Sequence, residues 1–378
     1  MRTNAARIVG NIAIALGLSL LGCAGEEPPP QPPPPPPPIE APPPPPLVVP
    51  EAPPPPKPSI GELESKALHA LVAAMNEHSA EKYAAVFTQD VVVKTAGGPD
   101  ATGRDAVAAR MQHVFTAMPD VKFALDHAWT KGNVVVSTFS WAGTDTGGIS
   151  GGKPTGRPAG LEGVVVSWFN DDGLIKEAHL YSNDGTLEKQ LDAKAKKGSF
   201  RPVPTQDMPL ETIASTGAPD EDKLIDTVKP FYVAMDEKKE ADFLGFVTDE
   251  SKLDDYADPA EVVGKQEFKA TYGKWVKHFP DFKQLPLTNQ WAVQDFVISE
   301  GIFTGTNKVG IAGHPATNKP ASVHFLDIIH VREGKVRHYW TWVNEAELIE
   351  QLGPKRPAPP TTSAPQAKAP ATKAAPKK

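Results

Sequence analysis

Cysteine is almost absent from this chain: Cys23 is the single one in 378 residues. Disulfide frameworks, iron–sulfur clusters and zinc sites built on several thiolates are therefore excluded. Positive charge is also in deficit, since 39 Lys and Arg stand against 46 Asp and Glu. A protein that binds nucleic acid through its phosphates carries a basic surface, so we expect no nucleic-acid partner. No serine or cysteine nucleophile motif is visible.

Proline, in contrast, is abundant, and half of the 42 prolines lie in residues 24–58. Such a stretch forms neither helix nor sheet and favours polyproline II. At about 3.1 Å per residue it can reach roughly 100 Å. We expect residues 23–58 to be a disordered stalk that holds folded domains away from a membrane. Residues 354–378, rich in Pro, Ala and Lys and without any acid, are expected to be a disordered basic tail.

The first residues have the layout of a secretory signal. Arg2 and Arg7 precede a short apolar run, and Leu20-Leu21-Gly22-Cys23 follows. These four residues resemble a bacterial lipobox, which implies a signal peptide over 1–22 and a lipid-modified Cys23 as the membrane anchor. Ala24 follows the cysteine, and by resemblance this favours the outer membrane. We therefore expect a lipid-anchored protein of the bacterial cell envelope.

The body of the chain contains one unit twice. Ala74-Met75-Asn76-Glu77 matches Ala234-Met235-Asp236-Glu237, and Met118-Pro119-Asp120 matches Phe279-Pro280-Asp281. The offset is 160 for the first match and 161 for the second. A period of this length predicts tandem domains rather than a solenoid. We expect domains over 59–197 and 219–353, joined by a linker over 198–218.

Each unit shows helical spacing first and strands afterwards. Three helices precede three strands in each unit. In the first unit, one helix carries Leu68, Leu71, Val72 and Met75 on its apolar face, and two more are expected over 80–87 and 104–115. The strands are expected over 134–141, 161–169 and 174–182 in the first unit, and over 291–304, 321–331 and 335–343 in the second. Asp172-Gly173 and Glu333-Gly334 predict hairpin turns. The fold class is therefore α+β, with helices packed on an antiparallel sheet.

This order of elements resembles the SnoaL-like polyketide cyclases of the nuclear-transport-factor-like cone fold. The resemblance rests on the Pro-Asp motifs, the Asp172-Gly173 hairpin, and the closing Gln190-Leu191 and Gln351-Leu352. It implies two cone-shaped domains, each a curved sheet wrapped against helices around an apolar pocket. The fold hosts both enzymes and binders, so it does not decide the function. We expect no cofactor.

The family's catalytic aspartate corresponds by this resemblance to Asn183 and Asn344, each seven residues before the closing Gln. An amide forms hydrogen bonds to a carbonyl but cannot accept the proton that the cyclase reaction removes. Either residue is instead a ligand contact or a cap at the end of a strand. Asp184 becomes a catalytic candidate if the strand end shifts by one residue.

Strand alternation places further candidates on the same faces as the two asparagines. In the first unit they are Tyr181 and a potential acid–base pair, His179 and Glu177. In the second they are His338, Trp340 and Trp342, which suit an apolar or ring-shaped ligand or plain core packing.

Two motifs carry no site. Gly147 to Lys153 has the spacing of a phosphate-binding loop, but Pro154 stands where Ser or Thr is needed, so we expect a Gly-rich loop between strands. His324 and His330 share a strand face without a third ligand, so we expect no metal.

The leading hypothesis is a lipoprotein that binds a small apolar or aromatic ligand with little or no catalysis. One alternative is an ester cyclase or isomerase that uses acid–base chemistry in the first domain. Another is a protein-interaction module, in which the domains pair within one chain or between two copies.

Overall fold

The computed structural model describes residues 59–205, 209–311 and 315–353. The expected signal peptide, Cys23, the stalk and the tail lie outside these residues. Both repeats fall in one compact unit. Among the described residues, we find no helix with the length and apolar character that crossing a membrane requires.

The first repeat packs helices on a seven-stranded sheet. Its first helix begins at a capping box, in which the Ser59 side chain accepts from the Glu62 N–H and the Glu62 carboxylate accepts from the Ser59 N–H. The helices are α1 (Ile60–Asn76), α2 (Ala80–Ala84), α3 (Arg104–Ala117) and α4 (Asp184–Leu191). The strands are β1 (Phe87–Thr95), β2 (Ala101–Thr102), β3 (Lys122–Lys131), β4 (Val134–Thr144), β5 (Pro158–Phe169), β6 (Ile175–Ser182) and β7 (Glu211–Ala214), in the sheet order β2-β1-β6-β5-β4-β3-β7.

The second repeat has the same order of elements. Its helices are α5 (Lys223–Asp236), α6 (Glu240–Gly245), α7 (Lys265–His278) and α8 (Glu345–Leu352). Its strands are β8 (Val247–Asp255), β9 (Val262–Val263), β10 (Lys283–Gln284), β11 (Asn289–Val293), β12 (Phe296–Thr306), β13 (Pro320–Arg332) and β14 (Lys335–Val343). The sheet order is β10-β12-β13-β14-β8-β9, and β11 also pairs with β12.

The predicted α+β class and both hairpins are confirmed. The β13–β14 turn places Glu333 and Gly334 at φ of 53° and 69°, the left-handed region that a two-residue hairpin requires. The sheets are mixed rather than purely antiparallel, because β1 pairs in parallel with β6, and β8 with β14. These two strands were not predicted, since each follows a helix directly and carries charged residues on its solvent side.

Two other expectations need correction. The single strand expected over 291–304 is two strands, because the chain turns at Gln294, where φ is 51°. The segment 198–218 is more than a linker, since β7 lies in it and pairs in parallel with β3 of the first sheet.

The central strands of each sheet are buried on both faces. One face packs against the helices of its own repeat, through residues such as Leu68 and Val135 in the first and Phe231 and Tyr339 in the second. The opposite faces contribute to one shared cluster, which joins Trp129, Val164, Val166 and Tyr181 to Tyr256, Ile298, Leu326 and Trp342. Residues of the two repeats are therefore in direct apolar contact.

Candidate functional site

The first repeat encloses a cavity of about 550 Å³ between its helices and the inner face of its sheet. Its walls are mostly apolar. The polar side chains that line it include Thr95, Arg110, His113, Ser137, Ser167, Ser182 and Asp184. An apolar cavity with a few convergent polar groups is the usual form of a small-molecule site.

The last strand, β6, presents Ala178, Leu180, Ser182 and the following Asp184 to this cavity. The prediction that the opposite set of residues lines the pocket is wrong. Glu177, His179, Tyr181 and Asn183 lie on the other face of the sheet, which turns toward the second repeat. The alternation of side chains along β6 correctly predicted which residues share a face. It could not show which of the two faces turns toward the helices.

Asp184 is therefore the candidate that the structure brings to the cavity. Burial raises its pKa, and hydrogen bonds from the Asn344 amide and the Ser182 hydroxyl only partly oppose this effect. Asn344 Nδ2 donates to Asp184 Oδ2 at 3.2 Å, and the Asp184 N–H donates to Asn344 Oδ1 at 3.3 Å. A residue of the second repeat thus positions the carboxyl at the cavity of the first.

Asn183 is a helix cap, and its amide also links the repeats. It is buried, and its Oδ1 accepts from the N–H groups of Gly185 and Glu345, each at 3.1 Å. Its Nδ2 donates to the Tyr256 carbonyl at 3.2 Å. A carboxylate can replace the acceptor but not the donor, which is a physical reason for an amide at this position.

Asn344 repeats this arrangement from the other side. Its Oδ1 accepts from the Ala346 N–H at 3.0 Å, which caps α8, and its Nδ2 donates to the Ala96 carbonyl at 2.9 Å. Each asparagine caps its own helix and bonds the backbone of the other repeat. Of the two alternatives, a ligand contact or a cap at the end of a strand, both asparagines are caps.

His179 and Glu177 do not form an acid–base pair at the cavity. His179 Nδ1 lies 2.9 Å from Glu300 Oε1, and His179 Nε2 lies 3.0 Å from Glu177 Oε1. Glu300 belongs to the second repeat, is fully buried, and also accepts from the Tyr181 hydroxyl at 2.9 Å. Burial lowers the pKa of His179, but the hydrogen bond and charge of Glu300 outweigh it and raise the pKa overall. These side chains form a polar cluster between the repeats.

The aromatic candidates of the second repeat also face the first repeat instead of a pocket. Trp342 is 1% exposed and stacks on Tyr256 with centroids 4.3 Å apart. Trp340 lies 6.4 Å from Trp129 and stacks on His338 at 3.7 Å. Burial lowers the pKa of His338 to about 4, so the ring is neutral. His338, Trp340 and Trp342 therefore pack between the repeats, which is the alternative that the sequence left open for them.

The motifs judged to carry no site have structural roles. The Gly-rich loop lies between β4 and β5, as predicted, and folds over Asp145, whose carboxylate accepts from the N–H groups of Gly148 and Ile149 at 2.7 and 2.9 Å. Ile149 and Ser150 of this loop line the cavity of the first repeat. His324 bonds Glu347 at 2.7 Å, and His330 stacks on Phe296.

Within the described residues, Asp254, Glu261 and His338 are close enough to suggest a metal site. Asp254 contacts the guanidinium of Arg201, and Glu261 contacts the ammonium of Lys252 at 3.0 Å. These side-chain cations already neutralise the two carboxylates. The cluster is thus better described as an ion-pair network.

The second repeat has a smaller cavity of about 150 Å³ in the corresponding place. Its polar lining residues include Asp255, Lys274, His278, Asp327, Tyr339, Thr341 and Glu345. Sequence reasoning missed Asp255 and Asp327. An acid inside an apolar run, as Asp327 is between Leu326 and Ile328, is the signal that marks such a residue.

Comparison with known proteins agrees with this architecture. A profile described as a SnoaL-like domain matches residues 68–178, and one described as a SnoaL-like polyketide cyclase matches residues 226–352. No curated protein matches the chain.

Two similar solved structures have polyketide-cyclase descriptions. One, described as a SnoaL-like polyketide cyclase from Jannaschia sp. CCS1, shares 14% identity and a TM-score of 0.34, over 36% of this chain and 96% of that one. The other, IdmH from Streptomyces antibioticus, described as a polyketide cyclase, shares 24% identity and a TM-score of 0.31, over 34% and 97%. Likenesses at this level carry no conclusion about activity. The chain thus contains two SnoaL-like domains in tandem.

Proposed function

We propose that the first SnoaL-like domain binds a small apolar or aromatic molecule in its cavity, with little or no catalysis. The observation that carries this proposal is the cavity of about 550 Å³ with its largely apolar walls. Apolar area removed from water stabilises a complex by about 25 cal/mol per Å² before the costs of binding. A ligand of one or two rings gains enough from such walls to bind.

Several observations support binding over turnover. At the position of the family's aspartate, the two asparagines are engaged as caps and in bonds between repeats. The imidazole and carboxylate pair expected from the sequence, His179 and Glu177, lies on the opposite face of the sheet. Neither arrangement offers a general base to a ligand in the cavity.

The experiment is a fluorescence titration with N-phenyl-1-naphthylamine, a neutral apolar dye at pH 8. Ala178 lines the cavity, so Ala178→Phe places a ring inside it and should weaken dye binding about tenfold or more. Lys176→Phe is the matched control, because Lys176 lies on the same strand but is exposed. Equal dye affinity in wild type and Ala178→Phe would refute this location.

Asp184 supports a second candidate, acid–base catalysis in the same cavity. Its carboxyl lines the cavity and its pKa is raised by burial, which are two properties of a general acid or base. If the domain turns over an ester or ketone, Asp184→Asn should lower kcat by about a hundredfold or more, while His179→Gln should not. A larger loss of kcat in His179→Gln than in Asp184→Asn would exclude Asp184 as the general acid or base.

The wider setting of this function is also a proposal. The signal-like start and the lipobox-like Leu20-Leu21-Gly22-Cys23 support attachment to the outer membrane through a lipidated Cys23. The proline-rich residues that follow support a stalk that acts as a spacer. Contacts across the repeats, through Asn183, Asn344 and Glu300, support pairing of the two domains within one chain.

A further inference from the structure

The cavity of the second repeat differs from that of the first at three adjacent strand positions. In the first repeat, Leu180 lies opposite Val165 and Thr95 in the sheet. In the second, the residue 161 positions after Leu180 is Thr341, which lies opposite Asp327 and Asp255. All six residues line their respective cavities. These three positions are neutral and mostly apolar in the first cavity, whereas in the second cavity two of them carry carboxyl groups.

Asp327 is held with one oxygen paired and the other unpaired. It is 2% exposed, and its Oδ2 accepts from the hydroxyls of Tyr232 and Tyr339, each at 3.0 Å. Its Oδ1 has no hydrogen-bond partner among the residues that the structure describes. An unpaired buried acceptor costs about 1–3 kcal/mol, so a ligand that donates to Oδ1 is favoured.

A second unpaired polar atom, an imidazole nitrogen, lines the same cavity. The pKa of His278 is lowered, by burial and then by the charges of Lys274 and Lys277, so its imidazole is neutral. Its Nδ1 is also buried without a hydrogen-bond partner in the described part of the chain. The nearby Lys274 is not the partner of His278 Nδ1, because the Lys274 ammonium contacts Asp258.

The charge and the walls of the cavity favour a cation. Burial raises the pKa of Asp327 to about 7, and burial together with the charge of Asp258 raises that of Asp255. A bound positive charge offsets this burial penalty. The aromatic rings of Trp275, Phe279, Phe282, Phe303 and Phe325 line the same space. Such rings bind cations through their faces and an apolar group by burial.

We propose that the second SnoaL-like domain is a separate site for a small protonated amine with an aromatic or alkyl group, whose N–H groups bond Asp327 Oδ1. An ammonium supplies both a donor for Asp327 Oδ1 and a positive charge beside the cavity carboxyls, and the Lys274 ammonium in the same lining already contacts Asp258. An alcohol supplies the donor alone, and a ketone supplies neither. This site does not depend on ligand binding in the first cavity.

The test is calorimetric titration of the full chain at pH 8 with benzylamine, benzyl alcohol and toluene, which share one ring and differ in charge and donor. Benzylamine should bind about tenfold or more tightly than either neutral compound. Asp327→Asn keeps the shape but removes the charge, and should weaken benzylamine binding about tenfold. Asp226→Asn, an exposed acid on α5, should leave it unchanged.

Two outcomes would overturn the proposal: equal affinity for the amine and the alcohol, or unchanged benzylamine affinity in a folded Asp327→Asn protein. If circular dichroism shows that this variant does not fold, Asp255→Asn provides the second test. It removes the other cavity carboxyl and should weaken benzylamine about threefold or more. Unchanged affinity there would equally refute the site.

Discussion

Replacement of Asn183 by aspartate should destabilise this protein. Asn183→Asp keeps the acceptor that caps α4 and bonds the Glu345 N–H. It removes the Nδ2 donor, which leaves the buried Tyr256 carbonyl without this bond. It also places a carboxylate at a site that is 2% exposed.

The magnitude follows from these two losses. An unsatisfied buried acceptor costs about 1–3 kcal/mol, and burial of an ionised carboxyl adds to that cost. We therefore expect Asn183→Asp to lower the free energy of unfolding by about 2–4 kcal/mol at pH 7. Burial raises the pKa of the introduced carboxyl above its unfolded value of about 3.9, so the folded state binds more protons. The loss should then shrink as the pH falls from 7 toward 4.

The assay is urea unfolding of the full chain at pH 7 and pH 4.5, followed by tryptophan fluorescence and circular dichroism. Coincident transitions establish whether the two domains unfold together. Asn170→Asp is the matched control, because the Asn170 side chain only accepts, from the N–H groups of Asp172 and Leu174. The reasoning would be refuted if Asn183→Asp lowered the free energy of unfolding at pH 7 by no more than about 0.5 kcal/mol, as expected for the control.

Two further predictions concern the contact between repeats and the anchor. The raised pKa of His179 means that its ion pairs with Glu300 and Glu177 stabilise the fold below pH 6.5, its unperturbed value, and are lost as the pH rises through the higher folded pKa. His179→Gln should therefore cost about 1–3 kcal/mol at pH 5.5 and less at pH 8.5, whereas the exposed His69→Gln should cost little at either; a pH-independent loss would contradict this assignment. Cys23→Ser should abolish labelling by radioactive palmitate and release the protein from the membrane fraction, and retention in that fraction would contradict lipid anchoring.

The fold was largely predictable because the chain repeats itself. Matches such as Met118-Pro119-Asp120 with Phe279-Pro280-Asp281 lie at the turns of the fold, where local chemistry dictates residue type. Strands β1 and β8 were missed, since their partners β6 and β14 are distant in the sequence. The break between β11 and β12 was missed because Gln294, a residue with no turn preference of its own, adopts a positive φ.

The site was predictable only to the level of which residues share a face. In a sheet with one solvated face, hydrophobic contrast along a strand shows which residues point inward. In β6 both faces are buried, with Ala178 2% and Tyr181 7% exposed, so this contrast is lost. Sequence alone therefore determined two tandem domains with matching motifs, an α+β fold and the alternating sets of candidate residues. Only the tertiary structure decided that Asp184 lines a cavity while His179 and Asn183 face the other repeat, because that choice depends on what packs against each face.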